Sequence, residues 1–274
     1  MSDGMNPTDD LGGMLALDAK GPNDFEASLE NFWGGAVWED AIARMALAVL
    51  TASGKDQLAS MHVRLLAKPA PETPQPIAAR PLTDEADQWI ARLGDPLCLH
   101  GSVDLREGEG ASLQDVPMGA NLPAPDELPS TAETAAAEGW TNFAKGPIEF
   151  RRIGPMWPTA ENDGLLPHQS WMKLRMGLPD DQRIHTAALV YLSAFYSHWS
   201  FERRAGPGFD NGAYKTLDHT VWLHGATRWD DWVLLRDANF VADNGVGVAQ
   251  RHLFSRDGKL LATAMHSGRI AMQA

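Results

Sequence analysis

The stretch Lys215-Thr216-Leu217-Asp218-His219-Thr220-Val221-Trp222-Leu223-His224, followed by Trp229-Asp230-Asp231-Trp232-Val233-Leu234-Leu235, decides the fold. Its β-branched and aromatic residues predict strands over 215–224 and 232–241. Asp218 stands at the start of the first strand; read alone, it caps a turn after Gly212-Ala213. His219 alternates with apolar neighbours, as His62 does earlier in the chain, and both read as structural. Trp222, Trp229 and Trp232, with Trp171 and Trp199, read as core and interface material. Two more strands are expected at 246–255 and 260–270. The sharp turn Ser255-Arg256-Asp257-Gly258-Lys259 joins them, because Asp-Gly supplies the positive φ angles of a tight hairpin.

Working outward, strands at 148–152 and 169–176 precede an almost wholly apolar helix at 185–196. The first half follows the same plan. Strands at 15–17 and 25–29 lead to the turn Asn31-Phe32-Trp33-Gly34-Gly35 and then to a helix at 36–50. That helix is apolar nearly all round, so other structure must wrap it. Its acidic Glu39 and Asp40 suit the positive end of the helix dipole. Strands are expected at 60–67, 76–80, 88–92 and 97–105. Each half therefore reads strand, strand, buried helix, then four strands. Ser60-Met61-His62 can be laid on Leu217-Asp218-His219, which sets Met61 at the position of Asp218 and Val103 at that of His266. Antiparallel strands curled around one buried helix make a hot-dog arrangement. The expected fold is thus α+β, two tandem hot-dog domains at 1–106 and 141–274. The Pro-, Gly-, Ala- and acid-rich segment 107–140 has no sustained period and is expected to be a partly mobile linker.

The chain has 274 residues and a formal net charge of −13. Such a surface repels phosphate backbones and argues against nucleic acid as a partner. The one cysteine, Cys98, has no disulfide mate, lies in no zinc-like cluster, and reads as a buried structural thiol. The N-terminal residues are acidic and polar, unlike a secretory signal. The apolar stretch 41–50 is short and broken by Arg44, so no membrane span is expected. A cytoplasmic protein without metal or redox cofactor is the plain expectation. Open sheet edges favour a homo-oligomer.

The Leu217-Asp218-His219 strand, its Trp222 and the Trp229-Asp230-Asp231-Trp232 hairpin resemble the type II acyl-CoA thioesterases, the TesB-like double hot-dog family. The resemblance extends over residues 25–50, with the paired-glycine turn, and over 251–269, the last hairpin. It implies hydrolysis of an acyl-CoA thioester, with coenzyme A present only as part of the substrate. The family's aspartate falls on Asp218. Its Ser or Thr falls on Asn239, or on Phe240 if the register slips by one. Its glutamine falls on His266, two residues before Gly268. The last two positions depart from the family's residue types. Asp218 would orient a water and accept its proton, with Asn239 and His266 holding the same water. The amides at Gly34, Gly35 and Ala36, before a buried helix, would bind the substrate and support the oxyanion. Read without the resemblance, His266 is a core or surface histidine, Asn239 a strand-end polar residue, and the glycine pair a turn. Two rival functions remain open. One is an acyl-CoA-binding protein that does not hydrolyse its ligand. The other is an enoyl or hydroxyacyl thioester hydratase, disfavoured because no Asn-Pro-x-His pattern is present.

Overall fold

The computed structural model describes residues 10–29, 38–70, 73–83, 87–106, 113–130, 132–134, 146–154, 168–197, 201 and 214–270. The first half begins with α1 (Leu11–Met14), a single turn capped by Asp10, whose carboxylate accepts the Gly13 N–H at 3.0 Å. This turn replaces the expected strand at 15–17. Leu11, Met14 and Leu15 reach the core as one helical turn, and pairing starts later, with β1 (Asp18–Ala19) and β2 (Asp24–Ser28). Next come α2 (Trp38–Ser53), β3 (Leu58–Leu65), β4 (Pro74–Pro81), β5 (Gln88–Leu93) and β6 (Leu99–Leu105). The second half contains β7 (Ile148–Ile153), β8 (His168–Leu174), α3 (Gln182–Ala194), β9 (Tyr214–Leu223), β10 (Val233–Asp243), β11 (Val246–Ser255) and β12 (Leu260–Ile270).

All twelve strands join one antiparallel sheet in the order β1-β2-β4-β5-β6-β3-β9-β12-β11-β10-β8-β7. The halves meet where β3 pairs with β9. The two long helices lie on one face, α2 against β4 and β5, α3 against β12, and they pack on each other. Ala41, Ala43, Ala46 and Ala48 on α2 and Ala187 and Ala188 on α3 are all fully buried. Every residue from Asp40 to Leu50 is buried. The charge of Arg44 is met within the core by Asp40, one turn earlier, at 2.7 Å, and by the Ala16 carbonyl. Asp181 caps α3 by accepting the Arg183 N–H at 2.9 Å. The fold is α+β, a hot-dog-like sheet curved around two packed helices. No helix among the described residues is long and apolar enough to cross a membrane.

Two bulges fix how the halves correspond. Ala59 is left unpaired in β3, opposite β6, and Leu217 is left unpaired in β9, opposite β12. Each bulge precedes the residue that resumes the ladder: Ser60, facing Asp104, and Asp218, facing Ser267. The structural equivalent of Asp218 is therefore Ser60. Met61–Val103 matches the pair His219–His266. The sequence match that set Met61 against Asp218 is off by one, because one residue of slip exchanges the two faces of a strand.

The stretch 113–130 packs on the sheet. Val116, Met118, Leu122 and Leu128 pack on Trp171, Trp232, Leu234 and Phe254, on the face away from the helices. The Trp171 indole donates to the Pro123 carbonyl (3.0 Å) and Arg151 to that of Pro125 (2.8 Å). Four apolar anchors at irregular spacing hold it, and an irregular spacing carries no periodic signal.

Candidate functional site

Asp218 lies at the bulge of β9, on the seam between the halves. Its side chain is 25% exposed and forms an ion pair with Arg64 of β3 at 3.0 Å. Arg64 and Asp218 are direct ladder partners. Arg64 shares its face with His62, on the polar, outward side of a strand whose Met61, Val63 and Leu65 are buried. Asp218 therefore presents to the outer face of the sheet, toward the first half. Beside it, the His62 ring nitrogen Nδ1 and the Thr220 hydroxyl share a hydrogen bond of 2.7 Å.

His266 takes the opposite face. It is 1% exposed and pairs across the ladder with His219, which is equally buried. His219 Nε2 lies 2.9 Å from the Ser193 hydroxyl of α3. That hydroxyl donates to the Val190 carbonyl at 2.7 Å, so it accepts from His219, which carries its proton on Nε2. Burial lowers the His219 pKa far below the ordinary range, and His266, Arg251 and His62 lower it further. Phe201 stands edge-on to His266 at 5.8 Å and stacks with Tyr214 at 5.4 Å. Gly247 and Gly268, direct ladder partners, make room for these rings. A Cβ on Gly247 would collide with Phe201, and one on Gly268 with Tyr214.

Asn239 joins this row through its backbone, in register with Ala249, which faces His266. The ladder slips by one immediately after Asn239. The structure thus brings Asn239, His266 and His219 into one transverse row. Asp218 sits one position along β9, with its side chain on the other face. Gly34, Gly35 and Ala36 lie outside the described residues.

Several charged groups on the helix side were not anticipated from sequence. Arg251 is fully buried and grips Asp237 with two hydrogen bonds of 2.6 and 2.8 Å. Its third nitrogen donates to the Leu192, Ser193 and Phe195 carbonyls, closing the C-terminal end of α3. Burial alone would raise the Asp237 carboxyl. The charge and hydrogen bonds of Arg251, with His168, outweigh it and hold that carboxyl well below the usual carboxylate range. From the first half, Glu39 accepts the Tyr196 N–H at 3.1 Å, where Tyr196 has a φ of +46°. Burial pushes the Glu39 carboxyl up to about 7. The signal for the Arg251–Asp237 pair was a charged residue at the inward position of an alternating strand, in Val233-x-Leu235-x-Asp237 and Arg251-x-Leu253. Among the described residues, no group of three or more His, Cys, Asp or Glu could hold a metal ion.

Residues 124–270 match the family model described as the acyl-CoA thioesterase C-terminal domain. The chain belongs to this family. The match to the acyl-CoA thioesterase family spans Asp218, Asn239 and His266. Among curated relatives, acyl-CoA thioesterase 2 of Haemophilus influenzae is 33% identical over 103 residues, 37% of the chain and 36% of that protein. Acyl-coenzyme A thioesterase 8 of Mus musculus is 26% identical over 130 residues, 46% of the chain and 40% of that protein. The chain thus spans two fifths or less of the length of these relatives. The solved acyl-CoA thioesterase II TesB2 of Mycobacterium marinum superposes with a TM-score of 0.75 at 19% identity, covering 96% of this chain and 98% of that one. At that identity the likeness is one of fold.

Proposed function

We infer that the protein hydrolyses an acyl-CoA thioester to the free acid and CoA, with Asp218 orienting the attacking water. The observation that carries this reading is Asp218 itself. It is a partly exposed carboxylate at a bulge on the seam between the halves, inside the family-matched segment. The ion pair with Arg64 holds the carboxylate in place. Water's oxygen bonds to the thioester carbonyl carbon and one water proton passes to Asp218. The C–S bond then breaks and the CoA thiolate takes that proton. No covalent enzyme intermediate is needed. Asn239 is retained as a water-holding group and Gly34, Gly35 and Ala36 as the oxyanion-supporting turn, whereas His266, buried on the helix side, does not touch that water. We keep the division at 1–106, 107–140 and 141–274, supported by the repeated element order and the equivalent bulges. A cytoplasmic setting is kept as part of this reading. Homo-oligomer formation is supported by β1 and β7, which end the sheet among the described residues.

A second reading is favoured by one specific observation: Asp218 and His266 present opposite faces, so the three site groups do not converge. In that reading the chain binds acyl-CoA without hydrolysing it. Thiol release from a panel of short, long and aromatic acyl-CoAs separates the two. Turnover supports the thioesterase; saturable binding with no thiol release supports the binder.

A further inference from the structure

A buried histidine ties the first turns of α3 to the turn between β9 and β10. His185 is 0% exposed. Its Nδ1 lies 3.1 Å from the backbone nitrogen of Trp229 and accepts that N–H. A backbone amide only donates, so Nδ1 carries a lone pair and the proton of the neutral ring sits on Nε2. Further bonds close the same clasp. The Gln182 side-chain amide donates to the Thr227 carbonyl at 2.8 Å. Arg228 spans Asp180 and Asp230 at 2.9 and 2.8 Å. The Trp229 side chain is buried in the main core.

The surroundings of the ring are acidic. Nε2 stands 3.7 Å from the half-exposed Asp230 carboxylate, too far for a hydrogen bond. Asp230, Asp180 ahead of the helix, the cap Asp181 and the Pro179 carbonyl all favour a charged ring, and Arg228 opposes it. The remaining charges nearby are engaged with other partners: Arg183 with Asp181, Asp231 with Lys173 and Arg256, and Asp10 with the Gly13 N–H. Asp56, in the turn after α2, faces Arg183. The charged residues of α2 and Arg251 of β11 lie toward the other end of α3, where Glu39 meets Tyr196 and Arg251 meets the Phe195 carbonyl. Burial outweighs the carboxylates and holds the His185 pKa below the ordinary histidine value of 6.5.

We propose that His185 is an acid-sensitive clasp: uptake of a proton at Nδ1 breaks its bond to Trp229 and releases the β9–β10 turn from the start of α3. A proton on Nδ1 sets two donors against each other, so the charged ring cannot keep its place. The carboxylates of Asp180, Asp181 and Asp230 give it another, nearer to water. The sign follows from the buried neutral ring. Its contribution is complete above 6.5 and is lost as pH falls through the lowered folded value. The turn it frees connects β9, with Asp218, to β10, with Asn239. No residue of the clasp is a candidate site residue, so the device stands whether the chain hydrolyses acyl-CoA or only binds it.

Hydrogen exchange of the Trp229 amide, read by NMR beside that of Leu189 in the middle of α3, tests the clasp. Between about pH 7.5 and about pH 5 the protection factor of Trp229 should fall about tenfold or more while that of Leu189 holds, the loss of one buried hydrogen bond. In His185→Asn the side-chain oxygen takes the place of Nδ1 and does not titrate, so Trp229 protection should stay level over the same range. An equal fall in His185→Asn, or no selective fall in the wild type, overturns the proposal. Nitrogen shifts of the wild-type ring give a second reading that needs no variant. Nδ1 without a proton at about pH 7.5, and a ring that titrates together with the Trp229 amide, support the clasp. A proton on Nδ1 at that pH, or a Trp229 amide that does not follow the ring, overturns it.

Discussion

Asp237 and Arg251 show how much one residue pair can carry. Their buried fork closes the end of α3 and ties β10 to β11. Replacing Asp237 by Asn leaves a buried guanidinium without its counter-charge and should cost about 3–5 kcal/mol in urea unfolding. The pH dependence has a definite sign. A carboxyl depressed in the fold contributes fully above its unfolded pKa, and that contribution is lost as pH falls below about 4. Asp237→Asn should therefore flatten the acid limb of the stability curve. Glu39 acts in the opposite sense. Its carboxyl is raised to about 7 in the fold, so the native state holds an extra proton between the unfolded value, about 4.5, and 7. Stability should fall across that window as pH rises. Glu39→Gln should remove the fall, gaining on the order of 1–3 kcal/mol at pH 8 relative to pH 4. An unchanged pH slope in Glu39→Gln would show that the carboxyl is not buried as described.

At the scale of elements, the Gly247–Gly268 pair is the most exacting feature. The Tyr214 ring fills the space of a Gly268 side chain. Gly268→Ala should cost about 1–3 kcal/mol by overpacking, and most of that loss should vanish in the double variant with Tyr214→Ser. Additive losses in thermal unfolding would mean the ring is not what the methyl meets. The same elements mark what could be read from sequence. β11 and β12 were legible because Leu253-Phe254 on one side and Leu260 to Met265 on the other flank an Asp-Gly turn, and α2 and α3 because they are apolar nearly all round. Residues 15–17 were not, since a single capped turn with three buried apolar residues looks like a short strand. The 113–130 stretch hid four anchors in a Pro- and Gly-rich composition. Asp218 was marked as a candidate only by the resemblance to a family. Its face was not, because a bulge at Leu217 leaves no local mark and decides which side the carboxylate takes.

The molecule as a whole is a near-duplicate made unequal at its seam. Equivalent bulges at Ala59 and Leu217 place Ser60 and Asp218 in corresponding positions, yet only one of the two carries a carboxylate. One substrate site per chain follows. Calorimetric titration with CoA should give one equivalent bound per chain, and two would mean that the Ser60–Trp222 side also binds. The central claim is that Asp218 acts on the water that cleaves an acyl-CoA thioester. The direct measurement is single-turnover thiol release by Asp218→Asn, beside wild type, on the best acyl-CoA. Asparagine keeps the shape and loses the proton acceptor, so the rate should drop by about 10²–10⁴-fold. A rate within a few-fold of wild type would contradict the account and move the chemistry away from Asp218.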